Sequence, residues 1–185
     1  MGALQGLPKA LLPVGGVPLL DHWLYLFRHK TQGVVDTVLV ITNEVFFLQL
    51  SEWARERGIP DANVVSNGTC SNDSRLGACA DLALLLEKHR NVTQDRNILV
   101  LASDLVFTTD GFDLDAFLSN SSRAFQRDQS NESCARGACL YYTVPDADVQ
   151  RRGILEVHSH TNLITSFLEN PTHTHPTHPP TCCCT

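Results

Sequence analysis

Apolar positions along the chain change period several times, and each change marks an element. Leu20, Trp23, Leu24 and Phe27 recur at helical spacing, and Pro18 ahead of them suits a first helical turn, where a missing N–H costs nothing. Residues 34–42, VVDTVLVIT, form a β-branched run of strand length whose near-continuous apolarity suits a parallel strand covered on both faces. Helical period returns over 44–57 through Phe47, Leu50 and Ala54, and Gly58 is placed to stop it. Val64 and Val65 mark a short strand. The polar loop 66–74, SNGTCSNDS, then leads into a helix over 75–89 with Leu76, Cys79, Ala83 and Leu86 on one face. Residues 97–103, NILVLAS, read as a further buried strand ending directly at Asp104. A helix over 112–125, a strand over 137–144 and a strand pair at 153–158 and 163–168 complete the pattern. Repeated β-α-β units predict an α/β fold, a doubly wound, mostly parallel sheet with right-handed crossovers.

The pattern fails after 171. Residues 173–185, HTHPTHPPTCCCT, have no hydrophobic period and bury nothing, so the expected organisation is one domain over 1–171 and a disordered low-complexity tail over 172–185. His173, His175 and His178 beside three cysteines are residue types that zinc prefers, but adjacent cysteines cannot easily wrap one ion, so no designed zinc site is expected there.

Composition narrows the function classes. A chain of 185 residues with 43% hydrophobic content can bury one substantial core. Its net charge of -6, with no Lys or Arg run, argues against a nucleic-acid surface. No segment has the length and apolarity of a membrane span, and the N-terminus has no charged region ahead of its apolar residues, so a soluble cytoplasmic protein is expected. Seven cysteines, an odd number without a secretory signal, read as free thiols rather than a disulfide framework. Five N-x-S/T triplets, at Asn67, Asn72, Asn91, Asn120 and Asn131, are read as polar loops for the same reason.

Chemistry concentrates at four places. Lys9 stands within 7–22, LPKALLPVGGVPLLDH, and a lysine beside a Gly-Gly turn can bring its ammonium to a phosphate as a point charge. Asp104 ends the 97–103 run, and in open α/β sheets an acid at the carboxyl end of a strand faces the ligand crevice, where a hard carboxylate suits Mg²⁺. Its alternative is a helix cap or Asx turn. Arg75, Leu76 and Gly77 open a helix, where a glycine permits close backbone approach and the helix N-terminus favours anions; a plain helix start capped by Asp73 or Ser74 explains them equally well. Gly153 and Glu169 bracket the segment GILEVHSHTNLITSFLE, where Glu169 is otherwise an exposed strand-end acid.

Taken in order, these segments resemble the nucleotide-sugar pyrophosphorylases, the sugar-1-phosphate nucleotidyltransferases, whose signature runs Pro-Lys-…-Leu-Pro-Val-Gly-Gly-…-Pro-Leu. The resemblance spans residues 7–171. It implies a Rossmann-like nucleotidyltransferase fold and transfer of a nucleotidyl group from a nucleoside triphosphate to a sugar 1-phosphate with Mg²⁺. Under it, Lys9 stabilises phosphoryl charge, Asp104 holds the metal, Arg75 and Gly77 approach the nucleotide, and Gly153 with Glu169 holds the sugar. The family's lysine after that glutamate is Asn170 here. Its glycine-rich phosphate loop, with the preceding strand, would lie ahead of residue 1, and its second metal-binding aspartate beyond residue 171. The resemblance therefore leaves three roles open: a transferase, a catalytically inactive fragment, or a regulatory partner of an intact paralogue. Homo-oligomerisation is compatible with each.

Overall fold

The computed structural model of the chain describes residues 6–31, 33–71, 73–105, 112–127, 137–143, 153–169 and 181–183. It divides into two compact units, Met1–Phe117 and Leu118–Thr185.

In the first unit the signature segment folds as a short 3-10 turn, a hairpin and a helix. The turn is Lys9–Leu11, the hairpin pairs β1 (Pro13–Val14) with β2 (Val17–Pro18), and α1 spans Leu19–Lys30. Gly15 and Gly16 make the two-residue connection with φ of +60° and +84°. A primed turn needs positive φ at both central residues, which only glycine adopts without strain. Pro18 does sit next to the first helical residue as expected, although its own backbone belongs to β2.

Strand β3 (Val40–Thr42) leads through α2 (Phe47–Glu56) to β4 (Val64–Ser66), and β3 and β4 pair in parallel, Val40 opposite Val64. Helix α2 ends where Gly58, at φ +72°, donates to the Arg55 carbonyl and Ile59 donates to the Ala54 carbonyl at 2.9 Å. This is the Schellman closure that Gly58 predicts. Leu24 of α1, Leu50, Trp53 and Ala54 of α2, Val64 of β4 and Ala10 form one buried cluster. Burying each of the large side chains contributes about 1.5–3 kcal/mol, so this cluster holds the unit together. Helices α3 (Ala78–Lys88) and α4 (Arg90–Thr93) follow. Helix α5, Leu114–Arg127, begins in the first unit and ends in the second.

Three expected strands are shorter or absent, the run 137–144 being a strand only over Tyr141–Thr143 among its described residues. The run 34–42 is laddered only over Val40–Thr42, because in this parallel register the residues before Val40 would pair with Asp61–Asn63, which form a 3-10 turn ahead of β4; at the other end Asn67 turns the chain, accepting from the Thr69 backbone N–H at 2.9 Å. Upstream, side chains replace a ladder: Asn63 donates to the Val38 carbonyl at 3.0 Å, and Arg96 pairs with Asp36. Residues 97–103 form neither helix nor strand, since among the described residues no neighbouring strand pairs with them.

The second unit holds a four-stranded antiparallel sheet in the order β5 (Tyr141–Thr143), β8 (Thr181–Cys183), β6 (Gly153–Val157), β7 (Ile164–Glu169). The expected pair at 153–158 and 163–168 is thus found as the β6–β7 hairpin. Where the tail was expected to be disordered, Thr181–Cys183 is a strand between β5 and β6. Backbone pairing to an open edge needs no hydrophobic period, and that is why the sequence pattern missed it. Residue 144, residues 170–180 and two of the N-x-S/T triplets, at 72 and 131, lie outside the described residues.

Among the described residues the architecture is mixed α/β with small sheets, one of them a parallel pair, and no closed barrel.

Candidate functional site

The hairpin and its 3-10 turn position Lys9. Ala10 is buried in the core cluster, while Lys9 beside it points outward. The Leu19 N–H donates to the Leu12 carbonyl at 3.0 Å, and His22 bonds the Val14 carbonyl at 3.0 Å, so α1 holds both ends of β1.

Lys9 Nζ lies 4.0 Å from Asp104 Oδ2, with the two side chains 80% and 50% exposed. An ion pair this open to water contributes at most about 1 kcal/mol, so holding the fold is not its main effect. Its consequence is chemical: an ammonium and a carboxylate stand together at the surface, one suited to phosphate and the other to a hard cation. Lys9 and Asp104 were singled out separately in the sequence, and the fold brings them together.

Trp23 sets where Asp104 stands. It is only 4% exposed, and its indole N–H donates to the Leu105 carbonyl at 2.8 Å. The residue directly after Asp104 is thereby tied to α1, the helix that also anchors the Lys9 turn. Its apolar helical spacing explains Trp23 fully as a core residue, so nothing in the sequence signals this donor.

A clasp steadies α1 in turn. Asp21 accepts two hydrogen bonds from Arg57, one from Nη2 at 2.7 Å and one from Nε, and a third from the Trp53 indole at 2.9 Å. The Arg57 hydrogen bond, more than any other influence, holds the Asp21 carboxyl below its ordinary value, against the opposing effect of burial.

Gly77 precedes α3 with φ +89° and ψ 155°, a conformation that L side chains rarely adopt, and an added Cβ would meet nothing within 4 Å. No side chain caps the helix at this residue. The face over Gly77 is therefore open to a planar group, and Arg75 lies two residues ahead on the exposed chain. The expected caps are not used: Ser74 instead hydrogen-bonds Ser71. One turn into α3, Asp81 accepts from the Asn67 side-chain amide at 2.8 Å and ties the 66–70 loop to the helix.

In the second unit, Gly153 and Glu169 are directly opposite one another at the end of the β6–β7 hairpin. A Cβ on Gly153 would come within 2.7 Å of the Phe167 ring, so the glycine lets that ring lie over β6. The pairing of Gly153 with Glu169 was implied by the resemblance; the role of Phe167 was not.

For Mg²⁺ the described residues supply one suitable oxygen donor beside Lys9, the Asp104 carboxylate, and no group of three His, Cys, Asp or Glu side chains converges among them. That set fits an ion shared with substrate phosphates, the habit of Mg²⁺, and does not fit an ion caged by protein alone. Among the described residues no helix is long and apolar enough to cross a membrane.

Scans against protein-family models, curated proteins and solved structures return no match to this chain.

Proposed function

We propose that the chain carries a nucleotidyltransferase-like centre, acting on a nucleoside triphosphate and a sugar 1-phosphate, on an incipient Rossmann-like β3–α2–β4 frame. The observation that carries this reading is the approach of Lys9 Nζ to Asp104 Oδ2 at the surface. In the reaction a phosphate oxygen of the sugar 1-phosphate attacks the α-phosphorus. A new P–O bond forms, the bond from the α-phosphorus to the bridging oxygen breaks, and pyrophosphate leaves.

Lys9 stabilises the negative charge that grows on the transferring group, an effect worth most when the donor is already in place. Asp104 would hold Mg²⁺ jointly with the triphosphate, and the ion would supply neutralisation of phosphate charge. Trp23 positions Asp104 through the Leu105 carbonyl. Gly77 offers an unobstructed backbone to the base, with Arg75 close by in sequence. By the resemblance alone, Gly153 and Glu169, opposite one another in β6 and β7 of the second unit, would form a sugar-binding pair of that unit.

Release of pyrophosphate from a panel of nucleoside triphosphates and sugar 1-phosphates, with Mg²⁺, tests the reading. Turnover that falls about 10²-fold or more in Asp104→Ala, and is lost on chelation of Mg²⁺, is the expected result. No pyrophosphate with any pair, and no triphosphate binding at millimolar concentration, would sink it.

Asn170 favours a second reading. An amide cannot replace an ammonium as partner to a sugar phosphate, so the domain would act as a regulatory subunit paired with an intact paralogue. Triphosphate binding without turnover, together with tight association with such a paralogue, distinguishes that role.

A further inference from the structure

We propose that Asn67 is a self-modification site, at which the Gly68 backbone nitrogen closes on the Asn67 side-chain carbonyl and expels ammonia. This chemistry does not depend on nucleotidyl transfer. Of the ten asparagines in the chain, Asn67 alone is followed by glycine. A glycine nitrogen has no Cβ beside it, so it is the least hindered backbone nucleophile. The loop is also held at both flanks. The Asn67 N–H donates to the Thr42 carbonyl at 2.9 Å, and the Glu44 N–H donates to the Thr69 carbonyl at 2.9 Å. Residues 67–69 are thereby fixed at the carboxyl ends of β3 and β4, and a fixed approach of reacting groups favours ring closure.

Each group that the closure involves has a partner suited to it. Asn67 Oδ1 accepts from the Thr69 backbone N–H at 2.9 Å and from Thr69 Oγ1 at 2.7 Å. Thr69 is only 7% exposed, so both donors are in place before negative charge grows on Oδ1, and they stabilise it. Asn67 Nδ2 donates to Asp81 at 2.8 Å, which fixes the carboxamide with its nitrogen toward α3. On the nucleophile side, the Gly68 N–H donates to Ser66 Oγ at 3.1 Å, and Ser66 Oγ donates to the Glu44 carboxylate. Hydroxyl and carboxylate form a relay that draws the proton off the amide nitrogen, the work of a general base.

In the first step Gly68 N forms a bond to Asn67 Cγ, and its proton passes through Ser66 to Glu44. The Cγ–Nδ2 bond breaks, and the departing nitrogen takes up that proton through solvent and leaves as ammonia. Water then opens the cyclic imide at either of its carbonyls, giving aspartate or isoaspartate at position 67. Either product lacks the donor to Asp81, so the tie between the 66–70 loop and α3 is lost. The aspartate product also sets a carboxylate against Asp81, and like charges that close repel.

Peptide mapping by mass spectrometry, after incubation at neutral pH and body temperature, measures the rate. The folded chain should convert Asn67 about tenfold or more faster than the same chain unfolded in guanidinium chloride, which keeps Asn67–Gly68 but not their partners. Glu44→Gln, at an exposed position, and Ser66→Ala should each bring the folded rate down toward the unfolded one, with the circular dichroism spectrum unchanged. A folded chain that converts no faster than the unfolded one overturns the proposal. So do Glu44→Gln and Ser66→Ala chains that stay folded and convert at the wild-type rate.

Discussion

At the residue scale, the proposed chemistry rests on Lys9 and Asp104, whose side chains approach within 4.0 Å at the surface. Both are exposed, and neither is needed to close the core. Lys9→Ala is therefore expected to leave the unfolding midpoint nearly unchanged while lowering kcat about 10²-fold, the usual cost of losing one preorganised charge-stabilising group. Steady-state kinetics beside a urea titration check both halves. Trp23 behaves in the opposite way. Trp23→Phe keeps the apolar ring but leaves the Leu105 carbonyl without its donor. It should cost about 1 kcal/mol in urea unfolding and lower turnover by displacing Asp104. Lys9 was legible because a distinctive run of residues surrounds it, and Asp104 because it ends an apolar run. Trp23 was not, since a buried indole at helical spacing looks the same whether or not its N–H is used.

Asp21 adds a pH dependence at the same scale. Arg57 lowers its carboxyl in the folded chain. The stabilisation is then complete above the unfolded carboxylate value, near about pH 3.9, and is lost as pH falls through the lower folded value. Asp21→Asn should be less stable than wild type at neutral pH, and the difference should shrink as the solution is acidified below about pH 4. Urea titrations of both chains at neutral and acid pH measure this directly.

At the element scale, turns were read more reliably than strands. Gly58 stops α2 and Gly15–Gly16 make the β1–β2 hairpin because positive φ is a local demand, visible in one or two residues. Gly16→Ala, forced to φ +84°, should cost about 1–2 kcal/mol. It should also lower activity by loosening β1, which His22 and Leu19 anchor. Differential scanning calorimetry and the pyrophosphate assay together read this out. Strand runs are a different matter. Residues 34–39 and 97–103 have the composition of strands, but a strand also needs a neighbour, and hydropathy does not report one. Thr181–Cys183 shows the converse, a strand without a strand's sequence, made by the open edges of β5 and β6.

At the scale of the whole molecule, an α/β chain with a parallel β3–β4 pair was legible, whereas its two compact units were not. The boundary at Phe117/Leu118 falls inside the amphipathic helix α5, where helical period runs on unbroken and no linker composition marks a division. Lys9, Asp104 and Gly77 belong to the first unit, and the Gly153–Glu169 pair to the second. In the proposed reaction Lys9 and Asp104 act together on one transferring nucleotidyl group. A double-mutant cycle on kcat tests it most directly, using wild type, Lys9→Ala, Asp104→Ala and the double variant in the pyrophosphate assay. Groups that act as a unit are strongly non-additive, so the double variant should be about as slow as the slower single variant. Wild-type turnover in either single variant, or effects that simply multiply in the double, would show that the two side chains do not act as a unit.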